Sequence, residues 1–173
     1  MRLSTIIALL ALAALAFWSQ RILQGTQPGD TVVSGTAIVV DGDSLKLNGQ
    51  EMRLKGIDAP EYTQICQRLG KEVPCGREAA AAMRKFLAQG PVTCVGYEHD
   101  RYNRLLVKCR VLGRDINAAM VREGQAVSFG EYLVEEAEAR NDNRGLWSGT
   151  FDMPRDWRAA HPSVNRAPAI SRP

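Results

Sequence analysis

Two pairs of acidic residues with an arginine between them stand out as residues that could do chemistry. Asp41 and Asp43 flank a glycine at the end of one apolar run, and Asp58 and Glu61 flank Ala-Pro at the end of another. Carboxylates at strand ends can converge on a hard cation such as Ca²⁺, which takes oxygen ligands. Arg53 lies inside the second run, and its planar guanidinium fits a phosphate. A cation, a phosphate-binding arginine and a spare carboxylate are the parts of a site that could cleave a phosphodiester.

A predicted hairpin must position these residues. Asn48-Gly49 is a strong turn signal, and a two-residue turn there pairs Leu45 with Met52 on one apolar face. Strict alternation would then put Asp43 and Arg53 on opposite faces of the hairpin. The site therefore requires the chain to bend at the glycine before Asp43, as glycines near barrel corners allow.

The remaining pattern predicts five strands and three helices. The predicted strands cover 32–40, 44–47, 51–57, 92–97 and 104–112. The predicted helices cover 75–89, 116–123 with Asp115 as N-cap and Gly124 after its end, and 130–143. Residues 61–74 are predicted to be a polar loop without regular structure. This order favours an α+β, mainly β fold: a five-stranded Greek-key barrel of the OB type with three packed helices.

The N-terminal segment is predicted to lie outside the folded domain. A positive start precedes the apolar run Leu3–Trp18, which is typical of a secretory signal. An uncleaved membrane anchor is the alternative reading of 1–23. Residues 24–31 are predicted to be a linker, 32–160 a single domain with a C-terminal extension, and 161–173 a disordered tail. The protein is expected to be exported, periplasmic or secreted, or anchored to the membrane by its N-terminus.

The composition is that of an ordinary globular domain, with 173 residues, 45% hydrophobic residues and a net charge of +3. That charge permits a polyanionic partner without requiring one. The composition also gives no indication of an oligomer, and a monomer is expected.

Four cysteines fit an oxidising compartment. The absence of a C-x-x-C pair or a histidine cluster argues against zinc. Three disulfide pairings are possible, and two observations favour one of them. Cys66–Cys75 would close a short polar loop, and a symmetric turn between the last two predicted strands places Cys94 opposite Cys109.

Ordered motifs connect these residues to a known family. VVDGDSLKL, RLKGIDAPE, DRYNR, INAAMV and GLW occur here in the order found in the staphylococcal nuclease (thermonuclease) family, and the chain resembles that family from Gly35 to Trp147. The segment Ser148–Arg158, SGTFDMPRDWR, resembles extensions of exported bacterial members. The resemblance implies a five-stranded OB barrel, calcium dependence and hydrolysis of both DNA and RNA that leaves 3′-phosphates.

The resemblance also implies a role for each residue that matches the family's site. These roles are side-chain metal ligands for Asp43 and Asp58, a backbone carbonyl ligand for Ala59, an outer-shell acid for Asp41, phosphate binding for Arg53 and Arg104, and activation or positioning of the attacking water for Glu61.

Two positions depart from the family pattern. Ala59 stands where threonine is common, which keeps a carbonyl ligand but loses a hydroxyl. Asn103 stands where glycine is usual before the second arginine. Asparagine tolerates the left-handed conformation better than most residues, so Arg104 is still expected to point into the site.

The sequence gives weaker indications of function for the tyrosine and histidine side chains. Tyr97 and Tyr102 are candidates to stack on a base or flank a phosphate. Tyr132 is expected to pack in the core, and His99 and His161 are expected to be solvated.

Two other functions compete with hydrolysis. A non-catalytic OB module would bind nucleic acid without cutting it, but it should have lost an acid or an arginine from the set, and this chain retains them all. A membrane-tethered domain stabilised by calcium should bind calcium without affinity for phosphate, which the two retained arginines argue against.

Overall fold

The structure, a computed structural model, describes residues 29–162. The predicted signal or anchor, the linker up to residue 28 and the tail from residue 163 lie outside this range. Within it, no helix has the length and the apolar character needed to cross a membrane.

Regular structure in the described range consists of short strands and four α-helices. The strands are β1 Thr31–Gly35, β2 Ala37–Val39, β3 Ser44–Leu47, β4 Gln50–Leu54, β5 Ile57–Asp58, β6 Cys66–Arg68, β7 Lys71–Val73, β8 Val92–His99, β9 Leu105–Val111, β10 Arg114–Asp115 and β11 Val127–Ser128. The helices are α1 Cys75–Leu87, α2 Ile116–Arg122, α3 Leu133–Asn141 and α4 Pro154–Ala160, with a 3₁₀ turn at Gly145–Ser148.

The fold is a mixed α+β domain around a curled half-barrel sheet. In the described range this sheet has the strand order β1-β8-β9-β4-β3-β2, with β10 added to β9. Only β4 and β9 pair in parallel there, and the other neighbours are antiparallel. β5 pairs with β11 and β6 with β7 in two separate ribbons.

The strand count exceeds the predicted five for two reasons. The chain turns inside two of the predicted strands, and the four short strands β6, β7, β10 and β11 form where no strand was predicted. The run 32–40 divides between β1 and β2 at Thr36. The run 51–57 turns at Gly56, whose φ of 80° is in the region that favours glycine. The barrel prediction therefore captured the order of the main strands but not these breaks.

The central hairpin forms as predicted. Asn48 and Gly49 have φ values of 51° and 82°, as a primed two-residue turn requires, and Leu45 faces Met52 across the pair. Both side chains are fully buried. They belong to the main core, which also contains apolar residues of α1 and α2 such as Met83 and Met120.

The prediction of an irregular loop over 61–74 is wrong for its second half. β6 and β7 form a second hairpin whose turn is made by Leu69 and Gly70, with φ values of 52° and 73°. Leu-Gly lacks the Asn or Asp that usually announces this turn, so the sequence signal was weak. A disulfide between Cys66 and Cys75 ties this hairpin to the start of α1.

The second disulfide joins two neighbouring strands of the main sheet. Cys94 of β8 lies directly opposite Cys109 of β9, and the two sulfurs are bonded. The structure thus pairs the four cysteines in the way that the sequence favoured, and it leaves no free cysteine in the described range.

The three predicted helices form near their predicted positions, but their lengths differ from the prediction and a fourth helix is present. The Asp115 side chain accepts a hydrogen bond from the Ala118 N–H and caps α2, as predicted. The predicted helix 130–143 begins only at Leu133, because Tyr132 has a left-handed φ of 63°. Tyr132 packs partly buried against the main core, as expected.

A fourth helix, α4, lies in the C-terminal extension, where no helix was predicted. Pro154 occupies its first position, where proline's missing N–H costs nothing, and Pro154 and Trp157 are its buried residues. The chain reaches α4 after an antiparallel bridge between Thr150 and Gln67 of β6. This path returns the extension to the edge of the molecule that carries the acidic residues.

Candidate functional site

A bend at Gly42 resolves the conflict between Asp43 and Arg53. β3 begins at Ser44, so Asp43 lies outside the strand and is free of its alternation. A Cβ at Gly42 would approach the Cβ atoms of Ala59 and Ala79 to 2.7 and 2.8 Å, which is too close for any other residue without a shift of the chain. Glycine therefore lets the acidic turn pack against the second acidic segment and α1.

Arg53 joins the two acidic segments. Its Nη2 lies 2.7 Å from Asp43 Oδ2 and 2.7 Å from Asp58 Oδ1. Both carboxylates are buried, with 3% of each residue exposed. Buried charges require partners of this kind, because desolvation would otherwise make the ionised forms costly.

Further hydrogen bonds fix the orientation of Asp43. Its Oδ1 accepts from the Ser44 hydroxyl at 2.9 Å, and its Oδ2 accepts from the Ala59 N–H at 3.1 Å. The Asp43 N–H in turn donates to Asp41 Oδ1 at 3.0 Å. The first acidic pair is thus one hydrogen-bonded turn.

Arg104 reaches the same region from the β8–β9 connection. Asn103 has a φ of 63°, so the expected left-handed conformation is confirmed. Asp100 Oδ1 accepts from the Arg104 N–H, and Asp100 Oδ2 accepts from the guanidinium Nε at 2.8 Å. Arg104 Nη1 lies 3.4 Å from Ser44 Oγ, which connects it to Asp43 through one hydroxyl.

Sequence reasoning missed one residue of the cluster, Arg158 of α4. Its Nη2 is 2.9 Å from Asp58 Oδ2, and its Nη1 is 2.9 Å from Asp58 Oδ1 and 3.1 Å from Glu61 Oε1. The available signal was a pair of arginines three positions apart, Arg155 and Arg158, in the extension. Nothing in the sequence indicated which way that segment would fold back.

Two carboxyl groups of the cluster have raised pKa values. Burial, together with the charge of Asp43, raises the pKa of Asp41 to about 8. Burial also raises the pKa of Glu61, although its hydrogen bond from Arg158 works in the opposite direction. Burial, more than the charges of the neighbouring acids, is the main cause of both shifts.

An open cleft of about 1140 Å³ runs beside the cluster. Asp41, Arg53, Asp58, Glu61, Arg104 and Arg158 all contribute to its lining. Two aromatic side chains, Tyr102 and Phe129, also line it and are each 61% exposed. Tyr97 is exposed but is not among the lining residues, and Phe129 was not singled out in the sequence.

The two histidines take no part in this cluster. Both are exposed, as expected. The ring of His161 stacks on that of Trp157 at 4.2 Å between centroids, and its Nδ1 lies 2.9 Å from the Trp157 carbonyl oxygen.

The donor atoms of the cluster suit a hard cation, because they are carboxylate oxygens without a histidine or cysteine among them. Across residues 29–162, however, no group of three or more acidic, histidine or cysteine side chains is arranged to hold a metal ion as it stands. The guanidinium groups of Arg53 and Arg158 occupy the carboxylate oxygens of Asp58 instead. The residues fit a cation by type, and a cation would have to compete with these arginines.

Comparison with known proteins adds a family match. The family model described as staphylococcal nuclease homologue matches residues 51–149. This range contains Arg53, Asp58, Glu61 and Arg104, and it ends before α4.

Three curated relatives are similar over about two thirds of this chain. The succinoglycan biosynthesis protein ExoI of Rhizobium meliloti (strain 1021) is 34% identical over 66% of this chain and 64% of its own length. An uncharacterized endonuclease of Escherichia coli O157:H7 is 32% identical over 67% of this chain and 77% of its own length. The probable staphylococcal-like nuclease CAN2 of Oryza sativa subsp. japonica is 31% identical over 67% of this chain but only 31% of its own length.

Proposed function

The chain belongs to the staphylococcal nuclease family, and from that premise we propose that it is a calcium-dependent, sugar-nonspecific nuclease that hydrolyses phosphodiester bonds in DNA and RNA. The names of its relatives support nuclease activity in general. The calcium requirement, the substrates and the 3′-phosphate products are inferences from the resemblance and from the chemistry of the cleft.

The convergence of Asp43, Arg53 and Asp58 is the observation that carries the proposal. One guanidinium nitrogen lies 2.7 Å from an oxygen of each carboxylate, although these residues come from different segments of the chain. A structural ion pair would need only one acid. Two acids around a phosphate-type arginine, beside an open cleft, are better explained by a reaction centre.

Calcium is the cation that these donors would take. Asp43 and Asp58 would bind it through their carboxylates, Ala59 through its carbonyl oxygen, and Asp41 from the outer shell. When bound, the ion offsets the negative charge of the phosphodiester and polarises its oxygen.

The protein's own residues supply the remaining chemistry. Arg53 and Arg104 are the proposed phosphate-binding residues, and their guanidinium groups stabilise the charge that develops as water attacks phosphorus. Glu61 orients that water and accepts its proton. Burial of Glu61 raises its pKa, which makes it a stronger base than an exposed carboxylate.

The aromatic residues of the cleft give a nucleic acid further surface to bind. Tyr102 and Phe129 are exposed and line the cleft, so their rings can stack on bases. The Arg101 and Arg104 guanidinium groups lie 4.8 and 5.6 Å from the centre of the Tyr102 ring, which places positive charge beside that stacking surface. Lys55 lies over the ring of Tyr97, and Tyr97 is a weaker candidate than Tyr102 for stacking on a base.

An exported enzyme is the setting we propose. Both disulfides suit an oxidising compartment. Release or anchoring depends on residues 1–23, and we propose a monomer that meets a membrane only if that segment is retained.

Incubation of the purified protein with plasmid DNA and with RNA, in calcium and in chelator, tests the proposal. Cleavage of both substrates in calcium alone is the expected result. Binding of nucleic acid without cleavage would favour the non-catalytic module instead. Calcium binding without any affinity for nucleic acid would favour a calcium-stabilised structural domain.

A further inference from the structure

Arg158 holds the acidic cluster by a two-point contact. Both of its terminal nitrogens lie 2.9 Å from an oxygen of Asp58, and one of them also lies 3.1 Å from Glu61. The Asp58 side chain is 4% exposed and the Arg158 side chain 23%. This is the fork-to-carboxylate geometry that makes such pairs strong.

The helix that carries Arg158 is anchored by two buried side chains and by a hydrogen bond just before its first residue. Pro154 and Trp157 of α4 are buried. Just before the helix, the carbonyl oxygen of Asp152 accepts a hydrogen bond of 2.7 Å from the side chain of Gln64. Gln64 is itself fully buried, and its side-chain Oε1 accepts from the N–H of Glu61 at 3.3 Å. The packed helix α4 therefore holds the Arg158 guanidinium next to the loop that contains Glu61, the proposed base.

The contacts of Arg158 leave Asp58 without a free oxygen. Asp58 Oδ2 accepts from Arg158, and Asp58 Oδ1 accepts from both Arg158 and Arg53. A cation that binds Asp58 needs one of these oxygens. It would also lie within a few ångströms of the guanidinium, where two positive groups repel each other in a partly buried site.

We propose that Arg158 is a positioning residue that competes with the cation for Asp58, so that helix α4 sets the calcium affinity of the site. Without the cation, Arg158 neutralises Asp58 and holds Glu61 in place. When the cation binds, Arg158 releases Asp58 and keeps its contact with Glu61. The inference rests on the calcium requirement in the proposed function.

The family match ends before the helix that carries Arg158. Arg53 and Arg104 lie within the matched residues 51–149, whereas Arg158 lies beyond them. The proposed competition therefore depends on the C-terminal extension, which supplies Arg158 from outside the matched range.

Calcium titration of the full chain by isothermal calorimetry, without nucleic acid, tests the competition. Arg158→Gln should bind calcium at least about fivefold more tightly than the parent, since the competing charge is gone. A merely structural role for Arg158 predicts the opposite, because loosening α4 would weaken the site. Parent-like or weaker calcium binding by this variant would overturn the proposal.

Arg155→Gln is the matched control. Arg155 lies one turn earlier on the same helix and lines the same cleft. In the described range, the side-chain hydrogen bonds and ion pairs of Asp58 come from Arg53 and Arg158 and not from Arg155. Its removal changes the net charge equally and should leave the calcium affinity within about twofold of the parent. Equal tightening in both variants would reduce the effect to general electrostatics and overturn the specific role of Arg158.

Arg158→Lys keeps the test possible if the glutamine variant fails to fold. A lysine ammonium group keeps the charge but cannot reproduce the planar two-point contact with Asp58. Calcium binding should therefore tighten by a smaller factor than in Arg158→Gln. Parent-like affinity in a folded lysine variant would overturn the proposal. If neither the parent nor any variant binds calcium, the proposed function loses its cofactor as well. If the parent binds calcium and cuts nucleic acid while Arg158→Gln binds no tighter, only the competition fails.

Discussion

At the scale of single residues, Glu61 carries the most specific chemical assignment. Glu61→Gln keeps the size of the side chain and removes the proposed base, so turnover of DNA should fall by about a hundredfold or more. Calcium should still bind, because Asp43 and Asp58 are unchanged. Initial rates of DNA cleavage, together with calcium titration, check both halves of this prediction. A variant that cuts DNA at the parent rate would remove Glu61 from the role of base.

Arg104 is the residue whose shape should matter as much as its charge. Arg104→Lys keeps the positive charge but loses the planar fork that binds Asp100 and, in the proposed function, a phosphate. We expect a fall in kcat/KM of about a hundredfold, in the range seen when one stabilising donor is removed from a reaction centre. Steady-state kinetics on a short oligonucleotide provide the measurement, with Arg114→Lys, on a surface strand, as the control. Parent-like kinetics of Arg104→Lys would place Arg104 outside the site.

Residues of the cleft could be predicted from the sequence where the neighbouring residues form a recognisable pattern. Asp43, Asp58 and Arg53 could be named because acids and an arginine interrupt apolar runs at strand ends. Their meeting depends on Gly42, whose close approach to Ala59 and Ala79 is a property of the packed fold. Arg158 could not be assigned, because its distance from Asp58 is fixed by tertiary contacts of α4.

At the scale of elements, the connection between β8 and β9 depends on one carboxylate. Asp100 accepts from the N–H groups of Tyr102 and Arg104 and from the Arg104 side chain. Burial acts to raise the pKa of Asp100, but these hydrogen bonds outweigh it, so the pKa lies below its usual range. A lowered pKa in the folded protein adds stability above the ordinary carboxyl pKa, and this stability is lost as the pH falls through the lowered value.

Asp100→Asn should therefore lower the free energy of unfolding at neutral pH, and the difference from the parent should shrink as the medium is acidified. Urea unfolding at a series of pH values from about 3 to 7 measures it. Asp142→Asn, at an exposed ion pair, is the control and should have little effect. A difference that stays constant over the whole pH range would show that the Asp100 charge contributes nothing.

Helices and strands bounded by residues typical of a turn or a helix cap were predicted well, and those without such residues were missed. The Asn48-Gly49 hairpin and the Asp115 cap follow from backbone requirements that particular residues meet. The β6–β7 hairpin uses Leu69 in a left-handed conformation that leucine seldom adopts, so only the surrounding structure holds it there. Helix α4 is short, and its buried Trp157 gave no periodic pattern.

At the scale of the whole molecule, the Cys66–Cys75 disulfide joins the β6–β7 hairpin to α1 close to the Glu61 loop. Replacing both cysteines by alanine should lower the free energy of unfolding by about 3 kcal/mol, the value expected for a loop of this size. Urea unfolding of the double variant against the parent checks it, and the same replacement of Cys94 and Cys109 gives a comparison at a second bridge. Equal stability of the first variant and the parent would indicate that the bridge constrains nothing.

The parallel pairing of β4 with β9 has a consequence for how the protein is made. Arg53 and Arg104 come together only after the chain has passed through α1 and β8 and returned to the first hairpin. A nascent chain that has emerged as far as Cys75 carries Asp43, Arg53 and Asp58, but it lacks Arg104, the second arginine proposed to bind phosphate. The proposed activity would then require the chain to be complete through β9, so no shorter N-terminal fragment would assemble the proposed site.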